Sequence, residues 1–95
     1  MHALDALGNP VRRSILLKLR AAPLSVGDLA AKFPVSRPAV SRHLRLLEQA
    51  GLVEARADGA RTLYGVRMKG FAAVRDFLDE FWDTALARLQ ELAKR

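Results

Sequence analysis

This chain has no cysteine, which excludes disulfides, thiolate metal sites and cysteine-based redox sensing. No apolar run approaches the roughly 18 residues that a membrane-crossing helix needs. The opening Met1-His2-Ala3-Leu4-Asp5 lacks the charged-then-apolar layout of a signal peptide. A soluble, cytoplasmic protein with no membrane partner is expected. Histidine is nearly missing too. His2 has no His, Cys or acidic partner at ligand spacing, so it reads as an ordinary terminal residue. No nucleophile–base pair, Gly-rich phosphate loop or paired acid is present, and an enzyme is not expected. Repeats, low-complexity tracts and linkers are absent as well.

What is present is positive charge, unevenly placed. Residues 1–69 hold 12 Lys and Arg against 5 Asp and Glu, a net +7, whereas residues 70–95 hold 4 against 5, a net −1. The excess sits on one part of the chain and suits a polyanion. A length of 95 residues makes one domain, 1–95, small enough to need help with burial. With metal and disulfide closed, dimerisation is the remaining remedy.

Residues 3–7 read as a short first helix ending at Gly8. Asn9-Pro10 places a capping side chain before a proline in the first helical turn, and Val11, Ile15, Leu16 and Leu19 recur at helical spacing. That helix shows Arg12, Arg13 and Lys18 on its other faces and stops near Ala21-Ala22-Pro23. Ser25 with Asp28 resembles a capping box for a third helix, which keeps Val26, Leu29, Ala30 and Phe33 inward and ends before Pro34. Ser36 caps a fourth, stopped by Gly51. Two extended runs follow, Leu52 to Ala57 and Arg61 to Val66, with Asp58-Gly59 as the expected two-residue turn. A long last helix spans about 71 to 94. The fold expected is mainly α with a small β-hairpin: a winged helix-turn-helix of five helices and a two-stranded wing.

At about 100° per residue, Val40, Leu44 and Leu47 cluster on one side of the fourth helix, and Pro38, Ser41, Arg42, Arg45 and Gln49 lie opposite. Arg37, in the first turn, can swing outward. Such a face, following a tight turn, suits the major groove of double-stranded DNA. Arg42 can place two donors on guanine, Ser41 can bond several base edges, and Pro38 offers apolar contact. Arg45 is better placed for phosphate, as are Ser25 and Ser36 at the helix starts. His43 falls at the edge of the buried side and reads as a packed, hydrogen-bonded histidine. With Asp58-Gly59 turning, Arg56 and Arg61 stand directly opposite; like charges so placed destabilise a hairpin unless phosphate lies between them.

With these residues in hand, the sequence resembles the ArsR family of bacterial winged-helix repressors. The stretch Asn9-Pro10-Val11-Arg12-Arg13-Ser14-Ile15-Leu16 looks like that family's second helix. The stretch from Pro34-Val35-Ser36-Arg37-Pro38 through Gly51-Leu52-Val53 looks like its recognition helix and first wing strand. The resemblance implies a homodimer joined through residues 1–8 and 70–95, reading a near-palindromic operator with Arg37, Pro38, Ser41 and Arg42. Metal-sensing members carry two Cys where this chain has Ser25 and Gly27, or His and acidic ligands on a last helix that here has Asp76, Asp79, Glu80 and Asp83 but no His. Metal sensing is therefore not carried over, and no cofactor is expected.

The last helix is too widely apolar for a single neighbour. Its Phe71, Val74, Phe77, Leu78, Phe81 and Trp82, with Ala85, Leu86, Leu89 and Leu92, are expected to meet a twofold mate alongside Leu4 and Leu7 of the first helix. Two other readings stand beside this one. A small apolar molecule could lodge near Phe77, Phe81 and Trp82 and release the regulator from DNA. Alternatively, the chain could be a protein-interaction module whose last helix docks a partner.

Overall fold

Helix starts are fixed by side chains that take over otherwise unpaired amides. The computed structural model describes residues 1–94. In chain order it has α1 (Ala3–Ala6), α2 (Pro10–Leu19), α3 (Val26–Ala30), α4 (Arg37–Gln49), β1 (Val53–Asp58), β2 (Arg61–Val66), a 3₁₀ turn (Met68–Phe71) and α5 (Ala72–Ala93). Asn9 Oδ1 accepts from the Val11 and Arg12 amides at 2.9 and 3.1 Å. Ser25 and Ser36 hydroxyls accept from Asp28 and Ala39 amides at 3.1 and 3.2 Å. Such caps contribute about 1 kcal/mol each.

Two expectations fail here. His2 is not idle: its Nδ1 accepts from the Leu4 amide at 3.1 Å and caps α1. The Asp28 carboxylate, expected to complete a capping box with Ser25, instead faces Arg61 of the wing at 3.8 Å.

The core is built from Ile15, Leu16 and Leu19 of α2, Leu29 of α3, Val40, Leu44 and Leu47 of α4, and Leu52 and Val53 behind them, with Ala3 and Ala6 of α1. Burying such a side chain stabilises by about 1.5–3 kcal/mol. Four residues make α1 too short to persist alone. It is held by α2, whose Arg12 Nε and Arg13 guanidinium donate to the Ala6 and Leu7 carbonyls, both at 2.8 Å. These carbonyls belong to the helix end that otherwise lacks donors, where cations are also electrostatically favoured.

The hairpin pairs in a register different from the one expected. Asp58 stands opposite Arg61 and Arg56 opposite Leu63, which leaves Gly59 and Ala60 as the turn. Gly59 has φ +62 and no non-glycine residue has positive φ, so glycine fills the first central position, as a type II′ turn requires. Opposite charges rather than like ones therefore face each other beside the turn. Leu24 extends the sheet by exchanging two backbone hydrogen bonds with Tyr64, at 3.0 and 2.8 Å. That bridge ties the wing base to the segment entering α3.

Gly51, at φ +78, ends the α4 turn region. Gly70 lies so close to it that an added Cβ would overlap the Gly51 carbonyl. The Arg67 amide donates to the Leu52 carbonyl at 2.9 Å. The start of α5 is thus fastened to the end of α4, and α5 then leaves the body with no buried residue along its length.

Candidate nucleic-acid interface

The fourth helix presents the two sides that its spacing implies. Val40, Leu44 and Leu47 are fully buried, whereas Pro38, Arg42, Arg45 and Gln49 are exposed and Ser41 is half-buried. Partly buried Phe33 and Val35 pack the preceding turn against the core and fix the angle at which α4 leaves it. A rigid inner face leaves the outer one free for a ligand.

Arg37 is exposed but not extended outward alone. Its guanidinium lies flat against Gly27 of α3: a Cβ built there would sit 3.7 to 3.9 Å from three guanidinium atoms. Ser25, Val26, Gly27, Arg37, Ala60, Arg61, Thr62 and Tyr64 line a notch of about 370 Å³ between α3, the start of α4 and the wing. Arg61 crosses its edge, 3.4 Å from Asp58 and 3.8 Å from Asp28. Arg56 is exposed on the same ribbon face, diagonal to Arg61 rather than opposite. Ser25 and Ser36 hydroxyls are both engaged as caps, so these residues present helix starts more than free hydroxyls.

His43 departs from the hydrogen-bonded histidine expected of it. Its ring is half-buried, and the shielded Nδ1 has no hydrogen-bond partner among the described residues. Burial, then the positive charges of Arg12 and Arg42, push its pKa below the ordinary histidine value. The neutral ring is favoured, which keeps a third cation from the gap between α2 and α4.

The apolar surface lies on α5. Phe77, Phe81, Trp82, Leu86, Leu89 and Leu92 are each about half exposed. Phe77 and Phe81 stack with centroids 6.4 Å apart, and Trp82 meets Phe81 edge-on at 5.6 Å. Leu78 and Leu4 are exposed too, and Ala85 is half-buried. Leu7, Phe71 and Val74, expected at the same interface, are partly buried against the chain's own core. No described helix is long and apolar enough to cross a membrane. Among the described residues, no cluster of three or more His, Cys, Asp or Glu could hold a metal ion.

Residues 7–56 match a helix-turn-helix domain family, which spans helices, turn and first wing strand. The chain is 47% identical over 91 residues to the HTH-type transcriptional regulator Rv2034 of Mycobacterium tuberculosis, covering 96% of this chain and 85% of that one. A solved structure described as a possible transcriptional regulator for arsenical resistance superposes with TM-score 0.81 at 40% identity, covering 96% of this chain and 95% of the other. The homodimeric winged helix-turn-helix domain of Mb0332 from Mycobacterium bovis, a possible ArsR-family regulator, matches with TM-score 0.66 and 32% identity. That match covers 80% of this chain and 74% of the other.

Proposed function

Because this chain belongs to the ArsR family of winged helix-turn-helix transcriptional regulators, DNA-binding proteins and not enzymes, we propose that it is a homodimeric repressor of a near-palindromic operator. The observation that carries this reading is the two-sided fourth helix. Three fully buried aliphatic residues hold it, and Pro38, Ser41, Arg42 and Arg45 stand on the free side. Pro38, Ser41 and Arg42 read base edges in the major groove. Arg45 and Arg56 take flanking phosphates, with the helix starts at Ser25 and Ser36 offering amides to the backbone. Arg37 and Arg61 have a separate role, argued below.

Dimerisation supplies the second half of the reading. An exposed row of large apolar side chains on one helix marks a contact surface. The first half of α5 is acidic, with Asp76, Asp79, Glu80 and Asp83 against Arg75, and the second half holds Arg88 and Glu91. Antiparallel pairing of two copies keeps the two acidic halves apart. Leu4 lies exposed on α1, which packs against α5, and joins the same surface. A dimer so built carries two recognition helices about 34–36 Å apart, one turn of duplex. Occupation of the operator then blocks other proteins from it, in the cytoplasm where the DNA is.

A second reading concerns the groove of about 480 Å³ beside Phe77, Glu80, Phe81, Thr84, Ala85 and Arg88, which could admit a small apolar effector. In the dimer the mate's side chains fill this place, so an effector would act by opposing assembly. Sequencing the fragments that the protein retains from its own genome tests the proposal. A near-palindromic motif is expected, bound with an affinity that falls steeply with salt. Retention without any shared motif, or binding indifferent to salt, contradicts it.

A further inference from the structure

Glycine is among the weakest helix formers, yet Gly27 is the second residue of α3. The Arg37 guanidinium comes to the open side of Gly27, at a distance where even a Cβ would make only ordinary contact with it. Arg61 reaches toward the same notch from the wing, and Ala60, Thr62 and Tyr64 line the wall between. Two guanidinium groups from separate elements thus converge on one polar depression. In the free protein the Arg61 charge is met by two carboxylates, Asp58 at 3.4 Å and Asp28 at 3.8 Å. All three side chains are more than half exposed, and ion pairs this exposed exchange readily for other anions.

We propose that this notch seats one backbone phosphate of duplex DNA, gripped by Arg37 and Arg61 together, and that Asp28 occupies Arg61 until the phosphate arrives. The proposal rests on the DNA-binding reading above. The chemistry is a like-for-like exchange: phosphate presents the same paired oxygens as carboxylate to the planar guanidinium fork. Arg61, freed from Asp28, turns its donors to the phosphate, while Arg37 stays supported on Gly27. Asp28 does not leave, and its charge beside the incoming phosphate opposes binding to every duplex. The pair therefore acts as a brake on sequence-independent affinity, set apart from the base-reading face of α4. Arg37 is on this account a backbone contact and not a reader of sequence.

The test uses the full chain and a mixed-sequence duplex, with affinity measured over a range of salt. Arg37→Gln and Arg61→Gln should each flatten the logarithmic salt slope by about 0.9, the loss of one phosphate. Because both hold the same phosphate, the double variant should flatten it no further. Asp28→Asn should tighten binding about threefold to tenfold. Most of that gain should vanish when Arg61 is already Gln. All three residues are exposed, and unchanged thermal melts confirm that each variant folds. Slope losses that add in the double variant, or an Asp28→Asn gain independent of Arg61, overturn the shared seat while leaving DNA binding intact. Failure of the unaltered protein to bind any duplex overturns the DNA reading and the seat with it.

Discussion

The two longest helices, α4 and α5, treat their apolar residues in opposite ways. In α4 a narrow stripe of Val40, Leu44 and Leu47 is fully buried by the chain's own core, and what remains outside is polar and basic. In α5 no residue is buried, and seven large apolar side chains from Phe77 to Leu92 stand about half open. One helix is complete within its own chain; the other is complete only with something laid against it. The difference fits the two tasks proposed for them, since a helix anchored from behind can offer a fixed face to DNA and a half-open one can receive a mate.

The comparison breaks most visibly in the α4 anchor. Leu44→Ala should cost about 2–5 kcal/mol of folding stability through the cavity it leaves, read as a lowered denaturant midpoint. Leu86→Ala, on the half-open face of α5, should leave stability nearly unchanged at dilutions where the chains are monomeric and lower it only where they pair. Equal losses for the two would erase the distinction.

Phe81→Glu or Leu89→Glu attacks the other side. Each would place an unpaired charge in the contact between copies, at a cost on the order of 2–4 kcal/mol of dimer stability. Sedimentation should show monomer, with operator binding lost although no DNA-facing residue was touched.

Smaller effects belong to the outer face. Arg42→Ala should cost about 1–3 kcal/mol on the selected operator and relax preference at one base pair. If it weakens operator and mixed-sequence duplex equally, Arg42 touches only phosphate. Arg56→Ala should lower affinity for all sequences alike and flatten the salt slope by about one unit. An unchanged slope would place the Arg56 side chain in water. The smallest effect is a titration. Because the folded pKa of His43 is lowered, its contribution to stability is complete above the ordinary histidine value of about 6.5 and is lost as pH falls through the lowered one. Melting temperature should drop as pH falls from about 6.5 through the lowered value, and His43→Gln should remove that component.

The elements most legible in the sequence are those fixed by neighbours in the chain. Asn9-Pro10 and Ser36 announce helix starts because the cap acts within three residues. Val40, Leu44 and Leu47 announce the buried side because helical spacing alone brings them together. The hairpin register was not legible, for a definite reason. Turning at Asp58-Gly59 or at Gly59-Ala60 leaves the same residues on the same faces, so the apolar pattern cannot choose between them. The observed register sets Asp58 against Arg61 in place of Arg56 against Arg61, and that pairing favours it.

Several arginines have contacts that the sequence does not announce. Arg12 and Arg13 close the end of α1. Arg61 faces two carboxylates. These contacts depend on how helices and wing meet in space, and no local spacing records them. The count over residues 1–69 therefore does not say where its charges are held.

On the proposed reading the open face of α5 is covered by its twofold mate, so that two recognition helices act together on one duplex. Sedimentation equilibrium of the unmodified protein, alone and with its genome-selected operator, tests it most directly. The account predicts a dimer at micromolar concentration and two chains on each full operator. A monomer at that concentration, still binding a full operator tightly, would contradict it.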